Sequence, residues 1–255
     1  MGCGVLDFAG SGVVHMTGGL CALIAVYFLG ARHGRFDKET GEPIQVNTPD
    51  YSPIFQCLGT LILFMGWFGF NGVSTLAISG ASMVAAKAMA ATAIAASSGC
   101  LACVVLGVIA EGYLDYQLAN NGVLAGLVAV TASCATVELE GAFVIGIVAA
   151  IIYYVGSKTL LKYQLDDVVD ASPVHFGCGI WGVLAAGFFA TKEGYRKAYY
   201  DTYDGGGDRA QHCAGVFYGG SGAQLGANFV FILLIIAWVG GLACLLFFTV
   251  KSTIG

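Results

Sequence analysis

An all-α protein that crosses a membrane about seven times is the fold class this sequence predicts. Three observations carry that reading. Of its 255 residues, 57% are hydrophobic and 11% are charged, against ~25% charged in a soluble domain. Mean hydropathy is +0.79, and the apolar runs approach or exceed the ~20 residues a helix needs to cross the hydrocarbon layer. The 38 glycines, with many alanines and serines, suit membrane helices whose backbones approach closely. The net charge of −5 comes with no basic block, which argues against nucleic acid as a partner.

The first span is expected at roughly 5–30. Its start, "MGCGVLDFAG", lacks a basic n-region and is not read as a signal peptide; Leu6 also breaks the myristoylation pattern. The span holds Asp7 and His15, and ionisable groups in such segments are costly and usually functional. The polar stretch "ARHGRFDKETGEPIQVNTPDYS" follows.

The second span, 54–79, contains "FMGWFGFNGVSTL". Trp67, Phe70 and Ser74 fall at i, i+3 and i+7, on one helical face. Aromatic stripes in membranes usually serve packing. This one ends in a hydroxyl, and aromatic faces attract cations, so a small cation held by Phe70 and Ser74 is a coherent alternative.

The third span, 83–110, carries Lys87 and the pair Cys100 and Cys103. Seven helices and one intramembrane lysine raise retinal as an option, but "SMVAAKAMAAT" offers no aromatic pocket and is not the last helix. Lys87 is expected to snorkel to the outer surface. The nine scattered cysteines lie mostly in apolar runs and read as small hydrophobes, with Cys213 alone in a clearly polar loop.

The fourth span, 120–135, is short and glycine-rich, and the fifth is placed at 141–160. The sixth, 170–190, begins within "LDDVVDASPVHFG", with Asp166, Asp167 and Asp170 at its start and His175 inside it. Helix capping is the simpler reading for these three aspartates and for Asp7. The longest polar loop then leads to the seventh span, 223–250.

Seven spans put the ends on opposite sides. Arg32, Arg35, Lys38, Lys158, Lys162 and Lys251 fall on one side, which the positive-inside rule makes cytoplasmic. The N-terminus is therefore expected outside and the C-terminus inside.

Laying His15 on His175 aligns "VVHMTGGLCALIAVYF" with "PVHFGCGIWGVLAAGFF". Val14 meets Val174, Gly19 meets Gly179 and Ala25 meets Ala185. In the expected orientation these helices run in opposite directions, as in the inverted repeats of transporters. Two intramembrane histidines at matching sites suggest an imidazole pair lining a pathway. Imidazole can donate or accept a hydrogen bond, which suits a small polar solute or a proton better than a metal ion. No Walker motif, GxSxG, HExxH or dinucleotide fingerprint is present, so neither an enzyme nor a cofactor is predicted.

At these residues the sequence resembles the ammonium transporter family, which includes methylammonium permeases and Rhesus proteins. "DFAGSGVVHMTGG", "GWFGFNGVS" and "LDDVVDASPVHFGCGIWG" look like three of its signature segments, in the family's order. "GWFGFN" and Ser74 favour the ammonium transporter branch, and "ARHGRFD" resembles plant-type members. The resemblance implies an eleven-helix fold with an inverted repeat, of which residues 1–255 match helices five to eleven as a single transmembrane domain. On that reading the four helices before them are missing, and a truncated chain is expected. It further implies a plasma-membrane trimer, homomeric or formed with full-length relatives.

Ammonium, or its analogue methylammonium, would be recruited near Ser74 and Asp7 and pass the gate residue Phe70. It would cross as ammonia beside His15, His175 and Trp67. Asp167 and Asp170 are implied as structural support. A non-conducting subunit or an ammonium sensor of the same family is the alternative.

Overall fold

The computed structural model describes residues 2–44, 52–200 and 207–254. Residues 45–51 and 201–206, read above as parts of polar loops, lie outside the described residues. Seven long helices carry the architecture. They are α1 (Ser11–Leu29), α2 (Pro53–Val73), α3 (Ser82–Glu111), α4 (Tyr116–Val130), α5 (Leu139–Lys162), α6 (Ser172–Phe189) and α7 (Ala223–Thr253). All but α4 are long and apolar enough to cross a membrane, giving six such helices among the described residues. The protein is therefore a helical, multi-pass membrane protein. The described residues form no extended strand, only an isolated bridge between Phe36 and Pro43.

Local chemistry sets the helix ends. Ser52 caps α2 by accepting from the Phe55 amide at 3.5 Å, and Pro53 occupies the first helical position. Gly112, at φ +81°, terminates α3. Asp115 caps α4 by accepting from Gln117 N at 2.7 Å.

Three helices differ most from the sequence reading. The first starts at Ser11, not 5, because Phe8 N and Ala9 N bond to Ala132 O and Thr131 O instead of to a helix. The second helix stops at Val73, not 79, and the chain turns through Leu76 at φ +59°. The fourth helix starts at Tyr116 and ends at Val130, where 120–135 was expected. After Val130 the hydroxyl-rich segment unwinds but stays buried. Its backbone is satisfied locally: Thr136 N donates to Ser133 O at 2.8 Å, and Ala132 N donates to Ser11 Oγ at 2.7 Å. Irregular backbone at membrane depth is tolerable only when it is enclosed by protein in this way.

Small residues set the packing of α3, α4 and α5. A Cβ at Gly126 would strike the Ala95 carbonyl, and one at Gly146 would strike Ser98 and Ala95. Ala88, Ala91, Ala95 and Ala125 fill this contact with no exposure. On one side α2 leans on α3 and α4; on the other α1 and α6 cross and α7 packs on both. In α2 and α7 only 11% and 17% of the spanning window is buried, so these two helices form the outside of the bundle.

Lys87 does not snorkel alone. Its ammonium pairs with Glu138 at 2.6 Å, because the start of α5 places that carboxylate beside α3. Cys213 is not free either: it forms a disulfide with Cys3, tying the N-terminal segment to the long loop.

At the opposite end, Asp166 does not cap α6. Its carboxylate accepts from Arg32 Nε at 2.7 Å, Arg32 Nη2 at 2.8 Å, the Arg32 amide at 2.9 Å and Arg35 Nε at 3.3 Å. The Arg32 hydrogen bond holds the Asp166 carboxyl below its usual range, against the opposing effect of burial. A depressed folded value means stability that is present above the unfolded pKa of ~3.9 and lost as pH falls through the folded one. Asp166→Asn should therefore lower stability at pH 7 by on the order of 1 kcal/mol, with the deficit shrinking in strong acid. Thermal unfolding in detergent across pH 2–7 checks this; a deficit that does not shrink below pH ~4 would refute it.

Candidate functional site

The site begins with two local departures from the α-helix. Residues Ser11–Met16 and Ser172–Gly177 are both π-helical, and each turn contains one histidine. The His15 amide donates to Gly10 O at 3.1 Å, five residues back. The Cys178 amide likewise reaches Pro173 O. Single π turns often mark functional positions, because the extra residue re-aims a side chain. Gly10, at φ +102°, starts the first turn in a conformation that other residues rarely adopt.

One helical turn beyond each histidine sits a glycine. A Cβ at Gly19 would collide with the backbone of Phe176 and His175. A Cβ at Gly179 would lie 2.8 Å from Ser11 O and 3.0 Å from Met16 N. Residue 19 thus meets 176 while residue 11 meets 179, so α1 and α6 cross antiparallel in near backbone contact. Ser11 ties this crossing to α4 by donating to Val128 O at 2.7 Å.

This crossing brings the imidazoles of His15 and His175 together, with centroids 5.4 Å apart and planes within 16°. Trp67 also stacks on His15, with centroids 5.0 Å apart and planes within 16°. Phe70 lies 5.7 Å from His15 and 5.8 Å from Trp67. The Trp67 indole N–H donates to Thr131 Oγ1 at 3.1 Å, from the unwound segment after α4. His15 Nε2 and His175 Nδ1 are buried and have no hydrogen-bond partner among the described residues. A buried polar nitrogen left this way carries a desolvation cost, unless a ligand that can donate or accept a hydrogen bond comes to it.

A hollow of about 980 Å³ has Asp7, Phe8, Ser74, Tyr199 and Phe231 in its wall; the four ring residues do not line it. Ser74 follows the last residue of α2 and donates to Phe70 O at 2.7 Å, which leaves its oxygen lone pairs available. Asp7 accepts from Gly12 N and Val13 N, each at 3.0 Å, so it caps the first histidine helix.

The remaining aspartates divide their roles. Asp167 caps α6 through Ala171 N at 3.1 Å and Ser172 N at 2.7 Å. Asp170 sits at φ +56° and accepts from Tyr153 Oη and Ser157 Oγ on α5, both at 3.0 Å. His15, His175, Trp67 and Phe70 therefore form one cluster. Asp7 and Ser74 share the hollow, and Asp167 and Asp170 hold the start of α6. Sequence reasoning did not find Thr131, Tyr153 or Ser157. Their hydroxyls resemble many others in the chain until the fold brings them to a partner.

A model described as "Ammonium Transporter Family" matches residues 2–255. The chain is 38% identical over 256 residues to ammonium transporter Amt2 of Archaeoglobus fulgidus, covering 100% of this chain and 51% of that protein. It is 37% identical over 248 residues to ammonium transporter 1 member 1 of Solanum lycopersicum, covering 93% and 49% respectively. Among solved structures, Saccharomyces cerevisiae Mep2 superposes with a TM-score of 0.82 at 26% identity, over 98% of this chain and 53% of that one. A "Sensor Amt Protein" superposes with a TM-score of 0.83 at 27% identity, over 98% and 56%. The chain thus spans about half the length of the relatives it matches.

The glycine crossing supplies a test of the site geometry. Gly19→Val should push α1 from α6 and destabilise the bundle by roughly 1–3 kcal/mol, as overpacking does. Gly18→Ala, one residue away with nothing near its Cβ, should be close to neutral. Unfolding temperatures in detergent compare the two; equal effects would count against a close crossing.

Proposed function

Because this chain belongs to the ammonium transporter family, we propose that it conducts ammonium across the membrane along a path lined by His15 and His175. The observation that carries the reading is the column of Trp67, His15 and His175, with two buried ring nitrogens free to bond a passing solute.

The order of events follows from charge and polarity. Ammonium is attracted to the hollow by the Asp7 carboxylate and can donate to the Ser74 oxygen. Phe70, 40% exposed and 5.7 Å from His15, presents an aromatic face that attracts cations and serves as the gate to the rings. A bare cation is costly to carry through an apolar passage, whereas neutral ammonia is not. Ammonium therefore gives up its proton just past the aromatic gate, to the unbonded Nε2 of His15. Ammonia then moves along the imidazoles, which can accept or donate one hydrogen bond at a time. The proton moves in association with the histidines. Trp67 supports the first ring, while Asp167 and Asp170 hold the second helix in register.

The same reading makes this a plasma-membrane protein that works as a trimer, alone or with full-length relatives. The apolar outer faces of α2 and α7 are then available to lipid and to neighbouring helices. The N-terminal side faces outward, because disulfides such as Cys3–Cys213 persist in oxidising compartments. A hydrophilic tag inserted after Gly219 should accordingly be stained by antibody on intact cells. Staining that needs permeabilised cells would reverse the orientation.

A sensing role is the second reading, favoured by the likeness to a "Sensor Amt Protein". Flux decides between them. Uptake of labelled methylammonium by cells expressing the natural gene product should fall roughly tenfold or more in His15→Ala. Unchanged uptake in the His15→Ala, His175→Ala double variant would overturn the histidine path. Binding without flux in the unsubstituted protein would select the sensor.

A further inference from the structure

Asp7 lies outside any helix, so something must hold the strand of chain that carries it. Residues 4–9, outside any helix, run between two supports. On one side, Phe8 N donates to Ala132 O at 2.9 Å and Ala9 N to Thr131 O at 3.1 Å. On the other side is the fully buried side chain of Asn228, in the first two turns of α7. Asn228 Oδ1 accepts from Leu6 N at 2.9 Å, and its Nδ2 donates to Leu6 O at 3.1 Å. The amide therefore pairs with Leu6 as a neighbouring strand would, engaging both backbone groups of the residue before Asp7.

The rest of the amide is also used. Nδ2 donates to Val183 O at 2.7 Å, on the helix that carries His175. Oδ1 accepts from Gln224 Nε2 at 3.0 Å, and Gln224 in turn donates to Gly4 O at 2.8 Å. Two donors and two acceptor sites are the full capacity of an asparagine amide, so the orientation is set by its partners. No other side chain among the described residues is hydrogen-bonded to both backbone groups of one residue next to a site residue.

We infer that Asn228 is a positioning residue for Asp7. By fixing Leu6 against α7 and α6 together, it directs the next side chain to the amides of Gly12 and Val13 at the head of the first histidine helix. An amide whose purpose was only to join α6 to α7 would need the Val183 bond and no pairing with Leu6. The Cys3–Cys213 disulfide anchors the same segment further out, but three residues of chain separate it from Asp7 and leave the carboxylate's direction undetermined.

The test has one arm that does not depend on transport. Hydrogen–deuterium exchange at the Gly12 and Val13 amides should speed up roughly tenfold or more in Asn228→Ala, as the carboxylate is released from them. Asp7→Asn should produce a similar rise, and the double variant should exchange no faster than Asp7→Asn alone. Exchange in α3 and α4 should stay unchanged. The second arm rests on the transport reading: the KM for methylammonium should rise several-fold in Asn228→Ala, with the maximal rate largely kept.

Unchanged exchange at Gly12 and Val13 in Asn228→Ala, or rises that multiply in the double variant, would overturn the inference. If the unsubstituted protein moves no methylammonium while the exchange cycle behaves as expected, the transport reading fails and the positioning role stands. Should Asn228→Ala not accumulate, Asn228→Asp serves. It keeps the size and the acceptor towards Leu6 N while losing both donors, and should give a smaller rise of the same pattern.

Discussion

The near backbone contact between α1 and α6 is the constraint on which the rest of the site depends. Gly19 and Gly179 each stand one turn past a histidine, and each faces the backbone of the other helix. No side chain larger than hydrogen fits there. Because the helices run antiparallel, one close approach serves both histidines and puts the rings 5.4 Å apart. A wider crossing would leave two isolated imidazoles in an apolar bundle. In a membrane, where apolar contact alone gives little drive for association, such close packing of small residues is the main source of helix–helix affinity.

Around that crossing the structure handles buried polarity in three ways. Some groups are fully satisfied, as in Ser11, whose hydroxyl donates to Val128 O and accepts from Ala132 N. Some carboxylates are held by backbone amides at helix starts, as in Asp7 and Asp167. A few nitrogens in the site remain without a partner, and those are on His15 and His175. Buried oxygens of Asn71, Ser133, Ser172 and Gln224 also lack a partner, but the two histidine nitrogens belong to neighbouring rings, which sets them apart as a place for a solute to bond.

The two ends of the bundle are fastened by different chemistry. At the N-terminal end a disulfide, the Gln224–Asn228 pair and the unwound segment after α4 immobilise the strand before α1. At the other end two arginines converge on Asp166, a carboxylate with 2% of its side chain exposed. Between these clasps α3, α4 and α5 form an alanine- and glycine-rich slab that supplies Thr131 to Trp67 and Tyr153 to Asp170. The rigid frame and the open column are complementary, since stacked rings keep their geometry only if both helix starts are immobile.

By itself the sequence determined a great deal. Composition and run length required membrane helices, because the other fold that satisfies its backbone in hydrocarbon, a closed barrel, is built from short alternating strands and not from continuous apolar runs of ~20 residues. The repeat of a histidine with a glycine four residues later singled out His15 and His175, and spacing put Trp67 and Phe70 on one face. These signals are local or periodic, so they can be read along the chain. The end of α2 at Val73 was not legible in that way, because the apolar run continues past the point where the chain turns. Nor could the chain show that Asp166 pairs with arginines 134 and 131 residues away while Asp167, its neighbour, caps a helix. Asn228 lies 222 residues from the strand it holds. Which buried polar group finds which partner is decided only when distant segments meet. The energy of each such bond depends on geometry and burial that no single stretch of sequence contains.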